Sequence, residues 1–133
     1  AQPQHQNGRQ SLLYWAAYLG LPRYVLAFLK VQGMDINASG GSIGTPLFAA
    51  TRRRHHDVVL LLLSQGAESS ILYRYGWTPL HATAEDGLTN IARALLDHGA
   101  AVDAQIEDGW TPLHIAAHQG HVDVGLALLE HGA

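Results

Sequence analysis

The chain has 133 residues, 47% apolar and 14% charged, with a net charge of −3 when its nine histidines are neutral. That is the length of one domain with enough apolar material for a core, which excludes wholesale disorder and a nucleic-acid binder working through bulk positive charge. With no cysteine, it also excludes disulfides, cysteine-ligated zinc, iron–sulfur clusters and a thiol nucleophile.

The start, Ala1–Gln6, is polar, has no apolar stretch of the signal-peptide kind and carries no Met, so it reads as the trimmed edge of a longer chain. Ser11-Leu12-Leu13-Tyr14 then opens a helical pattern, and a second helix is predicted at about Pro22–Val31. The Gly-rich stretch Ser39–Gly44 is a loop. Thr45-Pro46-Leu47-Phe48 starts the next helix, since Thr is a good N-cap and Pro costs nothing in the first helical turn. Further helices are predicted at about His56–Gln65 and Thr89–His98. Pro112–Gln119 ends at Gly120, and Val122–His131 ends at Gly132. The longest apolar run, Val58–Leu63, is six residues, against the roughly 20 that a membrane-spanning helix needs.

These elements repeat. Thr78-Pro79-Leu80-His81 recurs as Thr111-Pro112-Leu113-His114, and Thr45-Pro46-Leu47-Phe48 lies the same 33 residues earlier. Gly66-Ala67, Gly99-Ala100 and Gly132-Ala133 keep that spacing, and Ser11–Tyr14 is displaced by 34. The pattern resembles the ankyrin repeat and covers about Asn7 to Ala133. The resemblance implies an all-α solenoid of stacked antiparallel helix pairs with short β-hairpin-like fingers. The chain would be a single domain, 1–133, with units at about 6–38, 39–71, 72–104 and 105–133. Val58, Leu61, Leu62 and Leu95 should be buried between units, because no unit can cover its own apolar side. The last helix carries Val124, Leu126, Leu128 and Leu129 with no polar cap after it, which reads as a cut end flanked by further repeats. Three departures stand out, and one is the Gly-rich loop Ser39–Gly44, which does not fit the usual hairpin pattern. The first unit lacks both Thr-Pro and the His. Arg54 stands where Gly20, Gly87 and Gly120 stand elsewhere, and the turn there is expected to adjust away from the left-handed conformation that disfavours a non-Gly residue.

Candidate chemistry is sparse. Gly40-Gly41-Ser42-Ile43-Gly44 fits the G-x-S-x-G pattern of a nucleophile elbow, but that motif needs a preceding strand and a following helix in an α/β sheet, so Ser42 reads as a finger-tip residue. His114 and His118 share a helix face at metal-ligand spacing. The resemblance instead gives His81 and His114 a bond to backbone near the turn, tethering adjacent units. Asn37-Ala38-Ser39 fits a glycosylation sequon, and Asn37 also resembles sites of asparaginyl hydroxylation in ankyrin repeats; a solvated turn is the plainer reading. No cofactor, no metal and no catalytic residue are expected.

The resemblance implies a non-catalytic protein–protein interaction module, a scaffold or adaptor inside the cell, cytoplasmic or nuclear. The alternative is a regulatory or substrate-recruiting segment of a larger enzyme or signalling protein. A monomer, a protein partner, no nucleic acid and no membrane are expected. The ankyrin pattern puts partner contacts at finger tips and at the ends of first helices. In this sequence those positions hold Tyr18, Arg52, Arg53, Arg74, Tyr75, Trp77, Glu85, Asp86, Glu107, Asp108, Trp110, His118 and Gln119, with Asn7, Gly8 and Gln10 as the first finger. Trp77 and Trp110 are either binding anchors or braces between fingers. Residues 1–66 carry six basic and two acidic groups and residues 67–133 two basic and nine acidic, giving +4 and −7. A partner with an acidic patch for one end and a basic patch for the other is therefore expected.

Overall fold

Thr-Pro pairs start the helices as the sequence requires. Thr45, Thr78 and Thr111 are extended N-caps whose Oγ1 accepts the N–H three residues on, and Pro46, Pro79 and Pro112 fill the first turn. At Thr78 and Thr111 the bond is reciprocal: the Thr N–H donates to Nδ1 of His81 at 3.2 Å and of His114 at 3.0 Å. The motif histidine thus satisfies an orphan helix-start donor, the role usually taken by Glu or Gln. Phe48 cannot do this, and the cap at Thr45 is one-sided.

The computed structural model describes residues 3–40 and 44–133, and of residues 3–7, 9 and 10 the backbone alone. Eight α-helices and no strand occur among them. They are α1 Pro3–Tyr18, α2 Pro22–Leu29, α3 Pro46–Arg52, α4 His56–Ser64, α5 Pro79–Asp86, α6 Thr89–Asp97, α7 Pro112–Gln119 and α8 Val122–Glu130. The expected β-hairpin-like fingers are turns closed by single antiparallel-type bonds: Gly40 N–H to the Gly44 carbonyl, Tyr73 to Trp77 and Ile106 to Trp110, at 2.9, 2.6 and 3.0 Å.

Helix α1 corrects one expectation. Without a Thr-Pro start at Ser11 nothing stops the helix upstream, and it runs back to Pro3. Asn7, Gly8 and Gln10 are helical positions, not a finger.

The chain divides into two compact units, Ala1–Glu68 and Ser69–Ala133. In the first, α1 packs on α2 and α3, and α4 on α2 and α3. In the second, α5 packs on α6 and α7, and α8 on α6 and α7. Each unit is therefore helix pair on helix pair. Leu13, Val25, Leu47, Val58, Val59 and Leu62 are buried in the first, and Leu80, Ile91, Leu95, Val124 and Leu128 in the second, each worth about 1.5–3 kcal/mol by removal from water. Val58, Leu62 and Leu95 are buried as anticipated, whereas Leu61 is only half-buried because the α4 surface it occupies faces partly outward.

The turn at Arg54 does not adjust. Its φ of 66° matches the 71°, 71° and 75° of Gly20, Gly87 and Gly120, so this residue bears the left-handed strain. Closing the α3–α4 turn requires it: Arg54 N–H bonds the Thr51 carbonyl and His55 N–H the Ala50 carbonyl, as at the turns of Gly20 and Gly120. Next to it, Thr51 is fully buried where the other pairs have Ala17, Ala84 and Ala117, and its Oγ1 has no hydrogen-bond partner.

Candidate functional site

The fingers of the second unit are built from the backbone outward. A 3₁₀ turn, Arg74–Gly76, forms the first tip, and the Glu107 N–H donates to the Tyr75 carbonyl at 2.9 Å, joining the two fingers side by side. Gly76 permits this approach: with φ 81°, a Cβ there would sit 3.3 Å from Ile106 Cα. Tyr75 itself has φ 62°, an unusual conformation for an aromatic residue, held by the bonds on either side.

Side chains at the fingers divide into presented and packed. Tyr75 is 66% exposed, and Leu72, which the sequence pattern did not single out, is 64% exposed three residues before it. Arg74 lies over the Tyr73 ring at 5.9 Å. Trp77 is half-buried with its ring edge-on to His81 at 5.7 Å, a packing position at the finger root. Trp110 is 39% exposed and meets the His118 ring edge-on at 5.3 Å, so these two candidates share one surface. Glu107, Asp108, His118 and Gln119 are exposed; Glu85 and Asp86 are half-buried.

In the first unit Tyr18 is gripped twice. The Arg53 guanidinium sits 4.7 Å over its ring, and His55 Nε2–H donates to its carbonyl at 2.9 Å. Arg52 and Arg53 are exposed. Two members of the run Arg52–His56, Arg53 and His55, thus hold Tyr18. His121 makes the matching bond to the Glu85 carbonyl, 3.1 Å, in the second unit. Both rings fill the space over a glycine: a Cβ on Gly20 would come within 2.5 Å of His55, and one on Gly87 within 2.7 Å of His121. This Gly/His pairing was in the sequence as Gly20 with His55 and Gly87 with His121, but repeat spacing alone does not reveal that the two touch.

The other candidates are structural in geometry. His81 Nε2–H donates to the Trp110 carbonyl at 3.2 Å, the inter-pair tether expected of it, and burial holds its pKa below the usual histidine value. His114 Nδ1 is engaged by Thr111 N–H, and His118 by the Trp110 ring. Among the described residues no group of three or more His, Asp or Glu side chains could hold a metal ion. Asn37 is half-buried and its Oδ1 accepts the Glu68 N–H at 2.9 Å, so it clamps successive turns; Ser70 Oγ does the same for the Ala101 N–H at 2.8 Å. Gly41, Ser42 and Ile43 lie outside the described residues. No helix among the described residues is long and apolar enough to cross a membrane.

The family description "Ankyrin repeats (3 copies)" matches residues 68–133, and "Ankyrin repeat" matches residues 44–73. No curated protein matches the chain closely. Thr-Pro caps, histidine tethers, paired helices and finger turns at a constant spacing, together with these matches across residues 44–133, place the chain in the ankyrin-repeat family.

Proposed function

We propose that the chain is a protein-interaction module without chemistry of its own, and that it takes its partner on the finger tips and adjoining helix ends. Ankyrin repeats are in general protein–protein interaction modules. The observation that carries the site reading is Tyr75: an exposed aromatic side chain held at positive φ on a finger tip, where the backbone bears strain in order to present it. Tyr75 and Trp110 are the anchors of this reading, Trp77 a brace beneath them, and Glu107, Asp108 and Gln119 the rim that orients a basic segment of the partner. Arg74, Glu85, Asp86 and His118 complete that surface. In the first unit Tyr18, Arg52 and Arg53 offer a basic and aromatic surface suited to an acidic segment.

The test compares capture by the wild-type chain and by a Tyr75→Ala/Trp110→Ala variant from the same cell extract, with circular dichroism to verify folding. A protein retained by the former and lost from the folded variant is the expected outcome. Each substitution should cost about 2 kcal/mol of binding once the partner is purified. Equal retention by both would remove the finger anchors, while loss on Arg53→Glu alone would move the site to the first unit.

A further inference from the structure

Arg54 is a residue the fold would do better without. It takes the left-handed conformation, φ 66°, at the turn where the other pairs have Gly20, Gly87 and Gly120, so the strain that a glycine avoids is borne here. Its side chain is exposed, and among the described residues it makes no hydrogen bond, ion pair or ring contact. The strain therefore returns nothing within the fold, and strained positions of that kind cluster at sites that act on something outside it.

Arg54 is also the third of three consecutive arginines at the end of α3. Arg52 and Arg53 are exposed. The Arg53 guanidinium lies 4.7 Å over the Tyr18 ring, a face contact that fixes its place and spends none of its N–H donors. Tyr18 is fixed in turn, because His55 Nε2–H donates to its carbonyl at 2.9 Å. The sequence has no carboxylate between Asp35 and Asp57. Asp57 accepts the Val58 N–H at 2.8 Å, and Asp35 the Asn37 N–H at 2.9 Å. The cluster thus sets three positive charges, one of them braced, on a stretch of chain without acids.

Three guanidiniums and no lysine suit one class of anion. A carboxylate fills the fork of a single arginine, whereas a phosphate monoester brings about two negative charges and three acceptor oxygens, enough for several. Arginine clusters are a recurring means of reading phosphorylated segments. The apolar ground nearby is small. Leu19, next to Tyr18, is exposed, which fits a side chain flanking the phosphate and is too little to enter a lipid layer.

We infer that Arg52, Arg53 and Arg54 bind a phosphate monoester on a phosphorylated segment of a protein partner, with the Arg53–Tyr18 pair as the fixed side of the site. The inference rests on the protein-interaction reading above and narrows its acidic segment to a phosphorylated one.

The test offers the immobilised wild-type chain mixed libraries of short peptides with phosphoserine, phosphotyrosine, glutamate or serine fixed at the centre. A phosphorylated library should be retained about tenfold better than the glutamate library. Arg54→Gly should lose about tenfold of that retention while its urea midpoint equals or exceeds that of the wild type, a combination that a purely structural arginine would not give. The Tyr75→Ala/Trp110→Ala variant keeps all three arginines and should retain the library as the wild type does, so a failure of the finger-tip reading leaves this result untouched. Neither phosphorylated library being retained better than the glutamate one overturns the inference, and so does undiminished retention by Arg54→Gly. Binding to phosphatidylcholine vesicles that carry a phosphoinositide, without retention of a phosphorylated library, also overturns it and assigns the cluster to a membrane surface.

Discussion

Gly87→Ala and Gly120→Ala form a controlled pair in which backbone strain is common and a side-chain collision is not. Both glycines cap the first helix of a pair, α5 and α7, in the left-handed conformation, with φ 71° and 75°. An alanine in that conformation costs about 1–2 kcal/mol, offset by about 0.4–1 kcal/mol from the reduced freedom of the unfolded chain. Gly120→Ala should therefore cost about 0.5–1.5 kcal/mol, since a Cβ there meets nothing within 4 Å. At Gly87 the new Cβ would lie 2.7 Å from His121 Nδ1, so the ring must move and its bond to the Glu85 carbonyl is lost. That bond adds about 0.5–1.5 kcal/mol, bringing Gly87→Ala to about 2 kcal/mol. Urea denaturation followed by helical circular dichroism measures both. The collision is isolated by repeating Gly87→Ala in a His121→Leu background, where the excess over Gly120→Ala should disappear. The wild-type sequence holds an analogue, with Arg54 and Leu88 at the repeat-equivalent positions. Equal costs for the two glycines, within about 0.3 kcal/mol, would refute the claim that the histidine needs a residue without a Cβ beneath it.

Arg54→Gly works in the opposite direction: relieving left-handed strain in an exposed side chain should stabilise by about 0.5–1 kcal/mol, and a lower urea midpoint would contradict the strain. Thr51→Ala removes a buried hydroxyl that has no partner, so the lost methyl contact should be offset and stability should hold or rise by about 1 kcal/mol; a loss above about 1 kcal/mol would mean the hydroxyl is bonded. Burial lowers the pKa of His81 in the folded state, so the unfolded chain binds that proton more readily. Stability from this group is full above the unfolded value of about 6.5 and declines as pH falls toward the folded pKa. His131, raised chiefly by its bond to the Ala127 carbonyl, acts above that window instead. Thermal melts from pH 7.5 down to about pH 5 should therefore fall less steeply for His81→Gln than for the wild type, and parallel slopes would show that His81 does not titrate with unfolding.

The helix pairs were legible in the sequence because their determinants are local. Thr-Pro supplies a cap and a pre-set first turn, glycine supplies the left-handed exit, and α7 begins and ends where Pro112 and Gly120 place it. Repetition extended that reading to every pair with the same punctuation, and it failed at α1, where the punctuation is missing and the helix runs on to Pro3. The matter of the two tryptophans was different. Trp77 and Trp110 occupy equivalent positions, yet one is half-buried against His81 and the other stands 39% exposed beside His118. Position in a repeat fixes where a side chain begins, while what covers it depends on the neighbouring pair. For the same reason only the tertiary structure showed that Arg54 takes the glycine conformation, that His55 and His121 lie over glycines, and that Trp15 and Tyr24 are exposed where Ile115 and Val124 are buried. Those outcomes are set by contacts between residues about 30 positions apart, and such contacts exist only once one helix pair has docked on the next.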